Sequence, residues 1–459
     1  MRPSRQSGRD EATQKPAAVT GAPGGGWKRF PTPDRRILIL SIALQLALAL
    51  LFGHSTDTRV FMAAGYLVGS GHDPYVARDL GAVFHHVYFD VTSAVGYPPP
   101  WPLVLGLVYR GSYALVHNFL VYNLAIKIPV IAANIGLAYL VGMILDNLGA
   151  PAAASRRAWI FLLLNPALLY FGAAWGQIDA IVAFLALTAL ALLSARRRDA
   201  SALVLALAVC FKPTALPLLP AALVPLAGRS FRKAVRYSAL FLGGVFVFYV
   251  APFLVLGWSR APFSAHLNAH FVLRGAMSYT TVVRVFHNPL LMQGRWWLVG
   301  LVWIAALTLG ILALKRGDSG LEDLLRMSLA FSLIVFLTRT WLAETNVVLV
   351  LPMAAVLASL GALDRRALTA LWALPLVFTL FNTSPLHLLW VAFPDVMQQT
   401  LPFAVRHSHA ALLAKAAVVV AWQVVGWWIV VTCLRRWPPR AVEQRAAGGD
   451  ALEGAVRWN

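Results

Sequence analysis

The sequence predicts an all-α polytopic membrane protein with about twelve transmembrane helices, joined by exterior juxtamembrane helices. Three observations carry this prediction. The 459 residues are 59% hydrophobic and only 13% charged, a composition outside the soluble globular range. Apolar runs of roughly 17–25 residues recur along most of the chain, each long enough to cross a bilayer. The net charge of +20 is carried by Lys and Arg in short loops between those runs. A nucleic-acid binder would gather such charge on one face of a soluble domain. Here the pattern follows the positive-inside rule, so the expected partners are membrane lipids and no nucleic acid.

The elements follow in order. Residues 1–33 are polar and rich in Pro, Gly, Ser and Arg. They lack the early apolar core of a secretory signal and read as a disordered cytoplasmic tail. Arg35 and Arg36 hold the N-terminus inside, so the first span leaves with Asp57 outside. Arg156–Arg157, Arg196–Arg197–Arg198, Arg229/Arg232/Lys233/Arg236, Lys315–Arg316, Arg365–Arg366 and Arg435–Arg436 are each expected to be cytoplasmic. Spans fitted between them fall at 37–53, 123–145, 158–174, 179–195, 201–212, 214–228, 237–256, 297–314, 325–340, 346–361, 368–382 and 411–433. The membrane domain is thus 34–433, followed by a cytoplasmic tail at 434–459.

Two segments need a decision. Residues 98–117 are apolar enough to be counted as a span, but that would move Arg156–Arg157 outside, and Arg110 interrupts the run. They are read as a helix along the outer surface. In 201–228, Pro213, Pro217 and Pro220 break the helix, giving a short span, an outer turn and a return.

Three exterior loops, 54–122, 257–296 and 383–410, are much longer than the cytoplasmic ones. All 11 histidines lie in them or just inside adjoining helix ends. Chemistry is therefore expected on the exterior face of a multi-pass plasma-membrane protein. The two cysteines, Cys210 and Cys433, sit inside apolar runs and indicate neither a disulfide nor a metal site.

Outside the cytoplasmic loops the carboxylates are few: Asp57, Asp73, Asp79, Asp90, Asp179, Glu344 and Asp395. A carboxylate at membrane depth costs on the order of 3 kcal/mol, so each needs a partner or a task. Asp57 follows the first span and is either the N-cap of the helix TRVFMAAGYLVG or a catalytic base. Asp73, in GHDPY with Tyr75, carries a turn signature. Asp179 stands at an outer turn with Asn165, Trp175 and Gln177, as a helix cap or a polar site lining. Glu344 and Asn346 lie at a late outer turn, with Arg339 upstream as an ion-pair partner or an anion ligand. Lys127 and Lys212 are cations flanked by apolar residues, suited to snorkelling or to a phosphate. His266 and His270 have i, i+4 spacing, but no third metal ligand stands out.

The cytoplasmic loops are too small to fold a nucleotide site, so an activated substrate must arrive through the membrane. A polyprenyl phosphate carrying a sugar fits: tail between helices, phosphate at basic residues, sugar at aromatic and polar groups. The chemistry then needs one general base and one cation at the leaving phosphate. The ordered elements STDTRVF, GSGHDPY, GYPPPWPLVLG, KIPVIAANIG, NPALLYFGAAWGQIDAI, FKPTALPLLP and WLAETNVVL resemble those of the GT-C superfamily of lipid-phosphosugar-dependent glycosyltransferases, over residues 37–361. The likeness is to bacterial polyprenyl-phosphate-mannose mannosyltransferases and endoplasmic-reticulum dolichyl-phosphate-glucose glucosyltransferases. It implies Asp57 as catalytic base and direct, inverting transfer of a hexose, mannose by the bacterial comparison, to a glycolipid or lipid-linked glycan. Donor-phosphate contacts are expected from Arg339, Lys212 and Lys127, cations near the outer surface. The likeness matches Asp179 to the family's second acidic position and Glu344 to its late acidic turn; with Gln177, Trp175, Asn346, Asp73 and Tyr75 these are expected around the sugar and acceptor. Related enzymes often carry His before the late Glu; here Ala343 stands there, and Arg339 is its substitute. No Asp-x-Asp pair is present, so no cofactor is expected and a divalent metal is not favoured. The competing classes are a lipid or sugar transporter or flippase, and a non-enzymatic scaffold in envelope assembly.

Overall fold

The computed structural model describes residues 34–435, except 85–88, 90–94, 262, 265–274, 286–319, 384, 397–398, 401 and 403–405. The expected tail at 1–33, the expected span at 297–314, the Lys315–Arg316 cluster, the His266/His270 pair and nearly all of the C-terminal tail lie outside the described residues. The principal helices are α1 (Arg35–Leu51), α2 (Asp57–Gly69), α3 (Pro100–Gly111), α4 (Phe119–Asn147), α5 (Ala152–Leu163), α6 (Asp179–Ser194), α7 (Arg198–Phe211) and α8 (Leu218–Arg229). They continue with α9 (Phe231–Val255), α10 (Leu321–Thr338), α11 (Val347–Ser359), α12 (Arg365–Asn382) and α13 (Ser408–Leu434). Helices are what hydrocarbon permits, because each satisfies its own backbone. Among the described residues, strand is confined to Gly275–Ala276 paired in parallel with Trp341–Leu342.

Among the described residues, four helical stretches are long and apolar enough to cross a membrane: Phe119–Asn147, Ala152–Trp175, Phe231–Val255 and Ser408–Leu434. A fifth arises if α12 and the turn at Pro385–Val391 form one broken span. The other helices match expected spans in position but are shorter or more polar. Helix α1 has 17 residues, α6 has 16, α7 has 14 and α11 has 13, and α10 carries Glu322, Asp323 and Arg326. The segment at 98–117 is helical as expected, and FKPTALPLLP breaks at a 3-10 turn, Pro213–Ala215, before α8.

The core is centred on α10 and α11. Every residue from Val347 to Ala358 is buried, as is every residue of α10 but Glu322, Asp323 and Arg326. Helix α9 faces outward, with only 17% of its apolar window buried inside the protein. Polar seams join the inner helices: Ser41 Oγ donates to the Leu163 carbonyl at 2.8 Å, Gln45 Nε2 to Ser41 Oγ, and Asn134 Nδ2 to Gln45 Oε1 at 3.0 Å. Such bonds associate helices where lipid offers no hydrophobic drive. Helices α2 and α3 approach closely, and a Cβ on Gly65 would lie 2.8 Å from the Leu105 carbonyl oxygen.

Candidate active site around Asp57

The end of α1 is tied down by side chains from α4. Asn123 Nδ2 donates to the carbonyls of Ala49 at 2.7 Å, Leu50 at 3.1 Å and Phe52 at 2.8 Å. One turn later, Lys127 Nζ donates to Ala49 O at 3.2 Å, to Phe52 O, and to Ala174 O at 3.0 Å. These are the carbonyls a helix C-terminus leaves unpaired. Lys127 is fully buried. Its ammonium, expected at the donor phosphate, is here occupied by backbone carbonyls. Its role is to join the end of α1 to the turn that carries Trp175.

That turn has its own logic. Asn165 caps the stretch beginning at Pro166, its Oδ1 accepting from the amides of Ala167 and Leu168. The chain then widens into a π-helical turn, Leu169–Trp175, and stops at Gly176 with φ of 91°. L-residues with a side chain rarely adopt that conformation. A Cβ there would also lie 3.0 Å from Lys127 Cε. The reversal presents Trp175 and Gln177 side by side.

Both reach Asp57. Trp175 Nε1 donates to Asp57 Oδ2 at 2.7 Å, and Gln177 Nε2 donates to the same oxygen at 2.5 Å. Asp57 is the first residue of α2, but the N-cap is Thr56 and no side chain caps the helix. The capping reading is thereby overturned, because the carboxylate points across to another element. Among the described residues Oδ1 accepts no hydrogen bond, and the side chain keeps 28% of its exposure. One oxygen is anchored and the other is open.

Two residues that sequence reasoning did not single out complete the setting. The His54 ring stacks on Trp175, with centroids 4.1 Å apart and planes within 4°. Its Nδ1 accepts the Asp57 backbone N–H at 3.2 Å, so the proton of the neutral ring lies on Nε2. Burial lowers the His54 pKa below the ordinary imidazole value, despite the opposing charge of Asp57. Tyr97 donates its hydroxyl to Gln177 Oε1 at 2.8 Å, orienting that amide toward Asp57. Burial, then the carboxylates of Asp57 and Asp179, push the Tyr97 hydroxyl well above its ordinary pKa, and it stays a donor. The available signals were the i, i+3 spacing of His54 and Asp57, and the tyrosine of the YPP element.

Asp179 opens α6 but does not cap it. Lys212 Nζ, just past the end of α7, donates to both its oxygens, at 2.8 and 2.7 Å. This ion pair was not anticipated, since the two residues lie far apart in sequence. Glu344 is buried, accepts from Asn382 Nδ2 at 3.0 Å, and lies within electrostatic reach of Asp57. Among the described residues it is not paired with Arg339. Arg339 follows α10, half-buried, and forms no ion pair among the described residues. The chain beside it is held at the Thr340 carbonyl by the hydroxyls of Ser278 and Thr280, each at 2.6 Å. Asn346 is buried in the turn that begins at Glu344, its Oδ1 without a partner among the described residues.

Asp73 and Tyr75, expected beside the sugar, make scaffold contacts in this fold. Asp73 Oδ1 accepts the Tyr75 amide at 2.9 Å and Oδ2 accepts the Ser259 amide at 2.6 Å, joining the segment after α2 to the segment after α9. Tyr75 is fully buried among Phe253, Trp258 and Phe263, and its hydroxyl holds the Tyr97 carbonyl at 3.0 Å.

A sequence model of glycosyltransferase family 87, a GT-C-type polytopic family, matches residues 97–345, more than half of the chain. The chain belongs to glycosyltransferase family 87. It is a membrane glycosyltransferase. The matched stretch contains Tyr97, Trp175, Gln177, Asp179, Lys212, Arg339 and Glu344, and Asp57 precedes it. No curated protein matches the chain.

Proposed function

We propose that this family 87 enzyme transfers a hexose, mannose in the first instance, from a polyprenyl-phosphate sugar to a glycolipid or lipid-linked glycan acceptor. The reaction runs on the exterior face of the plasma membrane, in a bundle of about twelve spans. The observation that carries the reading is the Asp57 carboxylate, fixed through Oδ2 by Trp175 and Gln177 and open at Oδ1.

Asp57 Oδ1 takes the proton of an acceptor hydroxyl as that oxygen attacks the anomeric carbon. The bond from that carbon to the phosphate oxygen breaks with inversion, and the lipid phosphate departs as an anion without protonation. A cation must stabilise the charge developing there. Three were candidates. Lys127 is engaged by carbonyls and Lys212 by Asp179. Of these three, Arg339 is the one held by neither a carboxylate nor backbone carbonyls among the described residues, and it takes the phosphate. Trp175, Gln177, Glu344 and Asn346 line the sugar and acceptor side, with Asp179 held behind them by Lys212. No metal or other cofactor is needed, because base and cation are both supplied by the chain.

Helix lengths support a lipid-borne donor. At 1.5 Å per residue, α6 and α7 span only about 24 and 21 Å, against a hydrocarbon core of about 30 Å. With Arg196–Arg198 held at one surface, the Asp179–Lys212 end lies below the other, within reach of a lipid phosphate. The test is transfer by the full-length protein in liposomes, with labelled polyprenyl-phosphate mannose and a glycolipid extract, with and without chelator. Asp57-dependent transfer that survives chelation is expected. Transfer from a nucleotide sugar and none from the lipid donor overturns the reading.

A further inference from the structure

The α6–α7 hairpin has a second end, opposite Asp179 and Lys212, and a cleft of about 480 Å³ opens there. Its walls come from the α6–α7 turn and the first turns of α9. Arg196, Arg197 and Arg198 line it from one side, and Lys233 and Arg236 from the other. The carboxylate in the lining is Asp199, which already pairs with Arg236. The remaining four cations have no carboxylate partner among the described residues. The partial charges of the two adjoining helix ends, C-terminal for α6 and N-terminal for α7, oppose each other and do not relieve this excess.

The turn is built in a way that retains its arginines. Arg196 sits at the left-handed position that ends α6, with φ of 61°, where glycine costs least. The cleft is floored by Tyr237, which is buried and hydrogen-bonded through its hydroxyl to Ser201. A loop serving only to mark topology needs positive charge but neither a floor nor a second wall.

We infer that this cleft binds the phosphate headgroup of an anionic membrane lipid, in the leaflet opposite the Asp57 site. The ligand chemistry is a phosphate-bearing anion, and the adjoining surface identifies it as lipid-borne. Helix α9 starts in the cleft and continues as an exposed apolar face, with Leu242 63%, Phe246 53% and Val247 57% exposed. Leu203 on α7 is 42% exposed beside it. A headgroup held by the arginines can lay its acyl chains along that face, which a free anion would leave unused. Juxtamembrane cations attract anionic lipids, and a cleft that converges several of them adds geometry to that field. The inference is independent of the identity of the sugar donor.

The test uses the full-length protein in detergent, titrated with phosphatidylglycerol or phosphatidylcholine and read by native mass spectrometry. Wild type should retain phosphatidylglycerol preferentially. The double variant Arg197→Gln/Lys233→Gln should lose about tenfold or more of that preference, while Arg365→Gln/Arg366→Gln, the same charge change at another cytoplasmic cluster, should lose little. Size-exclusion profile and sugar transfer report whether the variants are folded, and Lys233→Met alone serves if the double variant is not. A cleft variant that keeps the wild-type preference, or falls no further than the Arg365/Arg366 control, overturns the site. Micromolar binding of inorganic phosphate to lipid-free protein, lost in the cleft variant, would assign the cleft to a soluble anion and overturn the lipid assignment.

Discussion

Asp57 separates two roles that a helix-start carboxylate can play. Asp57→Asn keeps the size of the side chain and removes the basicity. Since Asp57 does not cap α2, the variant should fold and insert normally while transfer falls by roughly 10²–10⁴, the usual share of general-base catalysis. Initial rates and melting temperatures on the same purified samples check this. Near-normal transfer would remove Asp57 from the mechanism. His54 allows a finer dissection. His54→Phe retains a ring against Trp175 but loses the Nδ1 acceptor, whereas His54→Ala also loses the stack, worth ~0.5–1.5 kcal/mol. The alanine variant should be the slower of the two. Burial lowers the His54 pKa from 6.5, so the folded protein resists protonating this ring more than the unfolded chain does. Its contribution to stability is complete above pH 6.5 and decreases as pH falls toward the folded value. The melting temperature of wild type should therefore drop more steeply on acidification than that of His54→Phe. Arg339→Lys retains charge without the planar fork that grips phosphate by two bonds, so it should restore only part of the donor use lost in Arg339→Ala.

At the scale of elements, the site depends on two ties between helices. The first is the Asp179–Lys212 pair, buried on the Asp179 side to 1% exposure and on the Lys212 side to 15%. Removing one partner strands a buried charge at a cost of ~3–5 kcal/mol, whereas removing both can be nearly neutral. Lys212→Met should thus lower stability sharply, and Lys212→Met/Asp179→Asn should recover most of it. Thermal unfolding of both variants in one detergent gives the coupling energy. The second tie is Lys127 to the ends of α1 and of the π-helical turn. Lys127→Met strands at least the Ala174 carbonyl, a loss of about 1–3 kcal/mol. It should reduce transfer as well, because Trp175 is carried by that turn.

For the whole molecule, the proposed orientation follows from charge asymmetry. Gly71–Pro74 should be exterior, and Arg196–Arg198 and Arg365–Arg366 cytoplasmic. Single cysteines placed at Arg197 and at Gly71, probed with an impermeant reagent on intact cells, check it: the second should label and the first should not. Labelling at Arg197 from outside would invert the bundle and move the Asp57 site to the cytoplasmic face. It would also move the basic cleft to the exterior leaflet.

Composition and periodicity determined the helical bundle. Apolar runs bounded by arginine clusters place helix ends well, because lipid leaves the backbone no alternative to helix; the run expected at 123–145 is α4, Phe119–Asn147, and that at 411–433 is α13, Ser408–Leu434. The scarcity of acid likewise singled out Asp57, Asp179 and Glu344 before any contact was known. What each one does was decided only by the tertiary structure. In sequence Asp57 reads as either a cap or a base, because local spacing shows only the helix it begins. Its donors, Trp175 and Gln177, arrive from more than a hundred positions away. Lys127 and Lys212 look alike in sequence, each a lone cation among apolar residues. One is paired with carbonyls and the other with a carboxylate, and long-range packing makes that difference. Tyr75 and Tyr97 diverge for the same reason, one enclosed among aromatic rings and the other aimed at the amide that holds Asp57. A sequence shows which charges lie at membrane depth; only the fold shows what neutralises each of them, because the partners sit on helices that meet after insertion.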